Sequence, residues 1–370
     1  MTAYDDRLER VRAGMKAHGL DTLILTPGAS MRYLTGFSEV GHERLLALVV
    51  PKEDGAFFIT PSLNAAQARE NAAGIADIRV WDDAHGWEAL LKEIIVDHTI
   101  DIGVIGIDDD MPARFSVVIQ QLMPTTPLRL AGSAFSTLRA AKDTLELAAM
   151  QHAADATDAL IPIAFAACQI GATESSVALA IQQAVSDAGH EPSFTSIVGA
   201  GANGALPHHH TGKNKIKHGD VVVLDFGAQV EGYCGDITRV VAIGEASDEA
   251  RKVYDIVYRA HQAGISAIEP GATAHDIDCA TRKVIADAGY GEFFLHRTGH
   301  GIGLECHEAP NIVGGNRTVL QPGHCFSIEP GIYLPGKFGV RLENIVTVTE
   351  TGGARVLNQA IAPELPILPA

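Results

Sequence analysis

The sequence has 370 residues, 46% of them hydrophobic, and a formal net charge of −17. That length suits two domains at about 150 residues each, and the acidic balance argues against binding to nucleic acid or to an anionic membrane surface. No apolar run is long enough to span a bilayer, and the opening segment MTAYDDRLERVRAGMKAHG reads as a polar helix rather than a signal peptide. Five cysteines (Cys168, Cys234, Cys279, Cys306, Cys325), odd in number and without CxxC spacing, suit reduced thiols in a cytoplasm. Cys234, Cys306 and Cys325 lie beside the motifs described below and read as small buried hydrophobes.

In chain order, residues 5–18 form a helix and 20–26 a strand. ASMRYLTGF (29–37) leads to strands at 44–51 and 56–60, then a helix at 64–72 and a strand at 75–81. A helix at 87–98, a strand at 101–108, a helix at 113–123 and the segment 127–135 complete the region. The alternation predicts an α/β domain with a mainly parallel sheet. No glycine-rich phosphate loop follows any of these strands. A loop crowded with Glu39, His42, Glu43 and Arg44 is either plain solvated surface or an arm reaching a substrate pocket.

The texture changes near residue 137. We place the boundary at 132–138, giving domains 1–134 and 135–370. The second opens on an Ala-rich helical stretch interrupted near Pro162. Another helix at 173–189 opens with a Thr and Glu capping pattern, and residues 248–266 and 273–288 are also helical.

Two stretches here carry chemistry. HRTGHGIGLECHE (296–308) places three histidines among glycines. Imidazole is the commonest metal-ligand side chain, and glycine allows close backbone approach. VVVLDFGAQV and YCGDITRVVAI flank Glu231-Gly232, a two-residue hairpin signal. In that register Val230 faces Tyr233, Asp225 faces Thr238 and Asp236 faces Gly227. The two aspartates are then diagonal neighbours on one face, roughly 7 Å apart at Cβ, among apolar residues where an unpaired charge is costly. Glu329 and Glu343 likewise interrupt apolar strand-like runs. Buried carboxylates of this kind need a counter-charge, and a metal is the strongest available. Two acids, a histidine and two more acids suit Mn²⁺, Co²⁺ or Zn²⁺.

With LPHH (206–209), LDFGAQVEGYCGDITR (224–239), HRTGHGIGLECHEAP (296–310), SIEPGIYLPG (327–336) and GVRLENIV (339–346) in order, the chain resembles the pita-bread metallopeptidases. Its longer N-terminal region resembles the creatinase-type domain of the prolidase and aminopeptidase P branch. The resemblance implies an α/β creatinase-like domain followed by an α+β pita-bread catalytic domain. It implies two divalent metal ions, Mn²⁺ first, held by Asp225, Asp236, His300, Glu329 and Glu343. His208, His296 and His307 would act on substrate, with Glu329 as general base and then acid. Arg341 would pair with a ligand carboxylate and hold it. The implied reaction is hydrolysis of an Xaa-Pro peptide bond by a cytoplasmic enzyme, a homodimer by family habit.

Two departures stand out. Asn344 follows Glu343 where many relatives carry Asp. Asn311 occupies the position where many prolidases carry an arginine that grips a dipeptide's carboxylate. Arg44, from this chain or from a partner subunit, is the leading substitute for that arginine, ahead of Arg297 and Arg317. Phe37, Tyr233, His296 and Tyr333 are candidates for the proline pocket. The readings are an Xaa-Pro dipeptidase, an aminopeptidase P on longer peptides, a non-peptidase metal-dependent relative, and a non-catalytic or metal-free member of the fold.

Overall fold

The computed structural model describes residues 3–53, 55–97 and 103–370. It divides into two compact units, Met1–Arg139 and Ala140–Ala370.

The first unit carries strands β1 (Thr22–Leu25), β2 (Ala47–Pro51), β3 (Phe57–Pro61), β4 (Ile78–Trp81), β5 (Ile105–Ile107) and β6 (Leu128–Leu130). Its helices are α1 (Ala3–His18), α2 (Ala29–Thr35), α3 (Ala65–Asn71), α4 (Trp87–Val96), α5 (Ala113–Leu122) and α6 (Gly132–Ala140). The predicted helix end at residue 98 and strand start at 101–102 lie outside the described residues. The sheet order is β4-β3-β2-β1-β5-β6. The expected mainly parallel sheet is present with one exception, because β2 runs opposite to the other five strands. β1–β2 and β2–β3 are antiparallel, while β3–β4, β1–β5 and β5–β6 are parallel. The link between β2 and β3 is too short for a parallel crossover, which needs a dozen or more residues.

The second unit begins with α7 (Thr144–Asp158), α8 (Ile161–Ala167) and α9 (Glu174–Asp187). The stretch read as one interrupted helix is therefore broken twice. Asp143 and Glu146 form a reciprocal capping box that starts α7, and Pro162 sits in the first turn of α8, where its missing N–H costs nothing. Helix α9 is capped by Thr173 with Ser176 rather than with Glu174. Later come α10 (Asp248–Ser266) and α11 (Ala274–Asp287). Strands β7 (Glu191–Pro192), β8 (Ile197–Ala200), β9 (Val221–Phe226), β10 (Ala228–Val230), β11 (Tyr233–Cys234) and β12 (Ile237–Ile243) precede α10. After α11 follow β13 (Gly299–Gly301), β14 (Glu308–Ile312), β15 (Cys325–Ile328), β16 (Gly331–Leu334), β17 (Phe338–Arg341), β18 (Asn344–Val348), β19 (Ala354–Val356) and β20 (Ile367–Leu368).

These strands form sheets ordered β20-β12-β9-β8, β11-β10-β7, β14-β13-β15-β18-β19 and β16-β17. The long hairpin has the expected register: Val230 opposes Tyr233 and Asp225 opposes Thr238. Its turn holds Glu231 at φ 50° and Gly232 at φ 86°, the double positive φ of a type I′ turn. One apolar core packs β9 and β12 on α10, with Val223, Val240, Val253, Tyr254 and Val257 buried; another packs them on α8 and α9 through Leu224, Val241, Val177 and Ile181. Among the described residues, no helix is long and apolar enough to cross a membrane.

Candidate active site

Strands from all four sheets of the second unit contribute polar side chains to one cavity of about 740 Å³. All nine residues expected as metal ligands, substrate histidines or ligand support line it: His208, Asp225, Asp236, His296, His300, His307, Glu329, Arg341 and Glu343. All belong to the second unit. β9 and β12 bring the aspartates together through the hairpin register. β13 carries His300, wedged between β14 and β15. The glycines on either side of His300 make that wedge possible. A Cβ at Gly299 would collide with the carbonyl oxygen of Ser327, and one at Gly301 with that of Ala309. Glu329 follows directly on β15, Arg341 ends β17, and Glu343 lies in the two-residue link between β17 and β18.

At the centre, ligand atoms of Asp236, His300 and Glu343 lie within 4.8 Å of one another, all three residues buried. His300 Nε2 stands 3.3 Å from Glu329 Oε1 and 3.7 Å from Asp236 Oδ2. Its Nδ1 faces the Gly301 carbonyl at 3.1 Å. That bond keeps the proton on Nδ1 and turns the Nε2 lone pair toward the acids. Burial holds His300 neutral, with its pKa down to about 3.

The acids behave in the opposite sense. Burial pushes Asp225 upward, and it pushes Asp236 and Glu343 well above the carboxylate range with added repulsion from neighbouring acids. Burial raises Glu329 to about 7, with Arg341 pulling against it. Three oxygens in this cluster, Asp225 Oδ1, Asp236 Oδ1 and Glu343 Oε1, are buried without a hydrogen-bond partner. Crowded, desolvated carboxylates with orphaned oxygens and a lone-pair-bearing imidazole form a donor set that fits divalent cations.

A polar frame holds these donors from behind. Arg341 gives Nη2–H to Asp225 Oδ2 (2.6 Å), Nε–H to Thr238 Oγ1 (3.0 Å) and Nη1–H to the Tyr333 hydroxyl (2.9 Å). Thr238 donates in turn to Glu343 Oε2 at 2.7 Å. Ser327 Oγ donates to Glu329 Oε1 and accepts from the His300 backbone N–H. His296 is engaged at both ring nitrogens, by Tyr333 (2.8 Å) and by the Arg297 carbonyl (2.7 Å), and burial lowers its pKa to about 4. His307 packs edge-on against His300 with ring centroids 4.2 Å apart, and His208 lies exposed on the cavity rim.

Several supports were not foreseen from the sequence. Glu174, fully buried, accepts from Ala200 N, Asn203 Nδ2, Asn214 Nδ2 and Gly212 N and pairs with His209 Nε2 at 2.9 Å. His209 is thereby committed to the frame, and its neighbour His208 faces the cavity. Lys142 and Glu308 form a buried ion pair at 2.7 Å beside His307. Asp278 holds Thr298 through its backbone N–H and hydroxyl. Thr238 and Ser327 each lie two residues from a site acid, the strand spacing that puts them on its face.

Other expectations fall elsewhere. Arg44 belongs to the first unit, where Asp83 takes two of its N–H groups at 2.9 and 2.8 Å and Glu43 a third. Phe37 is a core residue packed edge-on against Phe58. The Tyr233 hydroxyl donates to Glu146 at 2.9 Å, so it is a strut rather than a pocket wall. Arg297, ranked behind Arg44 on sequence, does line the cavity, and its Nη1 donates to Asn311 Oδ1.

The sheets, the donor cluster and the frame behind it define a metal-dependent hydrolase. The chain belongs to metallopeptidase family M24, whose model matches residues 148–350, and a creatinase/prolidase N-terminal domain matches residues 7–141. It is 38% identical over 358 residues to the probable dipeptidase PepE of Mycobacterium tuberculosis, covering 96% of this chain and 94% of that protein. It is 36% identical over 353 residues to the Xaa-Pro dipeptidase of Lactobacillus helveticus, covering 93% and 95%. The prolidase structure from Thermococcus sibiricus superposes with a TM-score of 0.93 at 34% identity over the whole of both chains.

Proposed function

We propose that this protein hydrolyses the Xaa-Pro bond of dipeptides, using two divalent cations held by Asp225, Asp236, His300, Glu329 and Glu343. The observation that carries the metal reading is the trio of orphaned buried oxygens on Asp225, Asp236 and Glu343. Mn²⁺ is the first choice, with Co²⁺ and Zn²⁺ behind it, because oxygen donors outnumber nitrogen. Bound there, such cations supply Lewis acidity and lower the pKa of water toward neutrality.

The chain's own residues do the rest. Glu329, with one oxygen bonded to Ser327, takes the attacking water's proton on its other oxygen. It then hands that proton to the departing imino nitrogen, acting as general base and then as general acid. His307 and His208 stand at the cavity wall to stabilise the oxyanion, an interaction worth about 3 kcal/mol in comparable sites. His296 donates Nδ1–H to the Arg297 carbonyl and accepts at Nε2 from Tyr333, so it shapes the pocket and takes no part in proton transfer. An Xaa-Pro bond has no N–H, so strand-type pairing with substrate is unavailable and a shaped cavity must replace it.

Within the second unit, Arg297 is the guanidinium that lines the cavity beside Arg341, and we assign it the grip on the substrate carboxylate, with Arg44 of a partner subunit as the alternative. Asn311 steers Arg297 in this acidic cavity, and a dipeptide's carboxylate is its natural partner. Small peptides are thus the partners, not nucleic acid or membrane, and we place the enzyme in the cytoplasm as a homodimer. One paired assay with added Mn²⁺ tests the reading: an Xaa-Pro dipeptide against its Xaa-Pro-Yaa extension. Preferred cleavage of the dipeptide is expected. Cleavage of the tripeptide alone would move the protein to the aminopeptidase P reading.

A further inference from the structure

Asp278 and Arg282 lie one turn apart on α11, and their side chains meet side-on. Nε–H of Arg282 reaches Asp278 Oδ2 at 3.3 Å, and Nη2–H reaches Oδ1 at 3.2 Å. An i,i+4 pair on a helix ordinarily supports its own helix and little else. This pair reaches out of the helix. Arg282 Nη1 donates to the Phe294 carbonyl at 3.0 Å, and Nη2 donates to the His296 carbonyl at 2.8 Å. The guanidinium also lies over the Phe294 ring, 4.1 Å from its centroid, and that ring packs edge-on against the His296 imidazole at 5.2 Å. Buried Asp278 uses Oδ1 again, accepting from the Thr298 N–H at 3.2 Å and the Thr298 hydroxyl at 2.8 Å.

Residues 294–298 lead into β13 and belong to no helix or strand. Carbonyls in such a segment have no ladder to take them and need donors from elsewhere. One planar guanidinium supplies two. His296 and Arg297, which both line the cavity, are thereby held between anchors at Phe294 and Thr298. Support of α11 alone would ask for none of these outward bonds.

We propose that Arg282, set by Asp278, is a positioning residue for substrate binding. It fixes the 294–298 segment so that Arg297 meets the dipeptide's carboxylate and His296 stays in the pocket wall. The inference rests on the dipeptide reading above and involves no bond-making step. Loosening the segment removes binding that substrate and transition state share, which raises KM and leaves kcat. Lysine at 282 keeps the charge that Asp278 pairs with, but it has no fork to span two carbonyls. That substitution separates positioning from helix support.

The test measures Arg282→Lys and Asp278→Asn in the Mn²⁺-loaded full chain, on an Xaa-Pro dipeptide and on its C-terminal amide. Asp278→Asn keeps an acceptor for Thr298 but sets an amide donor against Nε of Arg282, so it covers the case in which the lysine variant fails to fold. In either variant KM for the dipeptide should rise about 10-fold, inside the roughly 100-fold that a misplacement of about 1 Å can impose, with kcat within about twofold of the parent. The amide, which has no carboxylate to lose, should change little, so the parent's preference for the free acid should shrink. Half-saturation by Mn²⁺ should match the parent. An unchanged KM in Arg282→Lys, equal KM rises for acid and amide, or a loss of Mn²⁺ affinity in step with KM would overturn the proposal. The substrate reading is decided separately, since it fails only if the parent enzyme ignores the dipeptide.

Discussion

Arg341 and Asp225 meet through a 2.6 Å bond from Nη2 to Oδ2, and the same guanidinium reaches Glu343 through Thr238. One planar cation therefore orients two of the acids while leaving an oxygen on each facing the cavity. Lysine keeps the charge but not the fork. Arg341→Lys should weaken cation affinity by about 10- to 100-fold, as loss of a supporting partner does in metal sites. Titrating activity with Mn²⁺ checks this: saturating metal should recover much of the lost rate. Unchanged half-saturation would show that Arg341 does not set the ligand geometry.

Asp236 and Glu343 sit at the centre of the cluster, where burial and mutual repulsion push their pKa values well up. A cation relieves that repulsion, so binding should stabilise the fold as well as enable reaction. Cation at 100 times its dissociation constant adds about 2.7 kcal/mol. Chelation should lower the melting temperature and abolish hydrolysis, and Mn²⁺ should restore both. Asp236→Ala and Glu343→Ala should lose cation uptake and activity together, read by metal analysis and a dipeptide assay. Full retention of either property in either variant would remove the metal site from this account.

The legible parts of this site are those set by local pairing. A Glu-Gly turn and alternating apolar residues determine which residue of β12 faces Asp225, and the hairpin has that register. Long-range partnerships leave no such trace. Lys142 and Glu308 are 166 positions apart, and neither stretch looks unusual by itself. Glu174 resembles a capping residue because it follows a threonine at a helix start, yet its side chain turns inward to the histidine loop. Asp83, which takes Arg44, arrives from beyond β4, and nothing in the loop's own sequence names it. The helix–strand alternation points to the parallel majority of the first sheet, and the short link between β2 and β3 marks its one reversed strand.

Glu174 accepts from four nitrogen donors besides His209, and those bonds outweigh the cost of burial to hold its pKa below the usual range. The loop they anchor carries His208. Glu174→Ala leaves these donors unpaired at about 1–3 kcal/mol each, so the loop should loosen and kcat/KM should fall. Cation affinity should be unaffected, because no metal ligand lies on that loop. His209→Ala should move activity in the same direction by less, since it removes one partner of five. Steady-state kinetics beside Mn²⁺ titration separates the two effects. A parallel loss of metal would show that the loop also supports the ligand cluster.

His261, on α10, is fully buried with Nε2 unpartnered, and its Nδ1 meets Gln262 at 3.2 Å. Burial, helped by the Arg239 charge, lowers its pKa from 6.5 to about 3. The unfolded chain then binds a proton below pH 6.5 that the folded chain refuses until pH 3. Stability therefore falls as pH drops through that window and is unaffected above it. At pH 5 the deficit is about 2 kcal/mol, from about 1.5 pH units at about 1.4 kcal/mol each. His261→Leu removes the titrating group at similar volume. The gap in unfolding free energy between variant and parent should shift by that amount in the variant's favour between pH 7.5 and pH 5. Urea denaturation followed by circular dichroism measures it, since both tryptophans, Trp81 and Trp87, lie in the first unit. A gap independent of pH would mean that His261 takes up its proton in the folded state as readily as in the unfolded one.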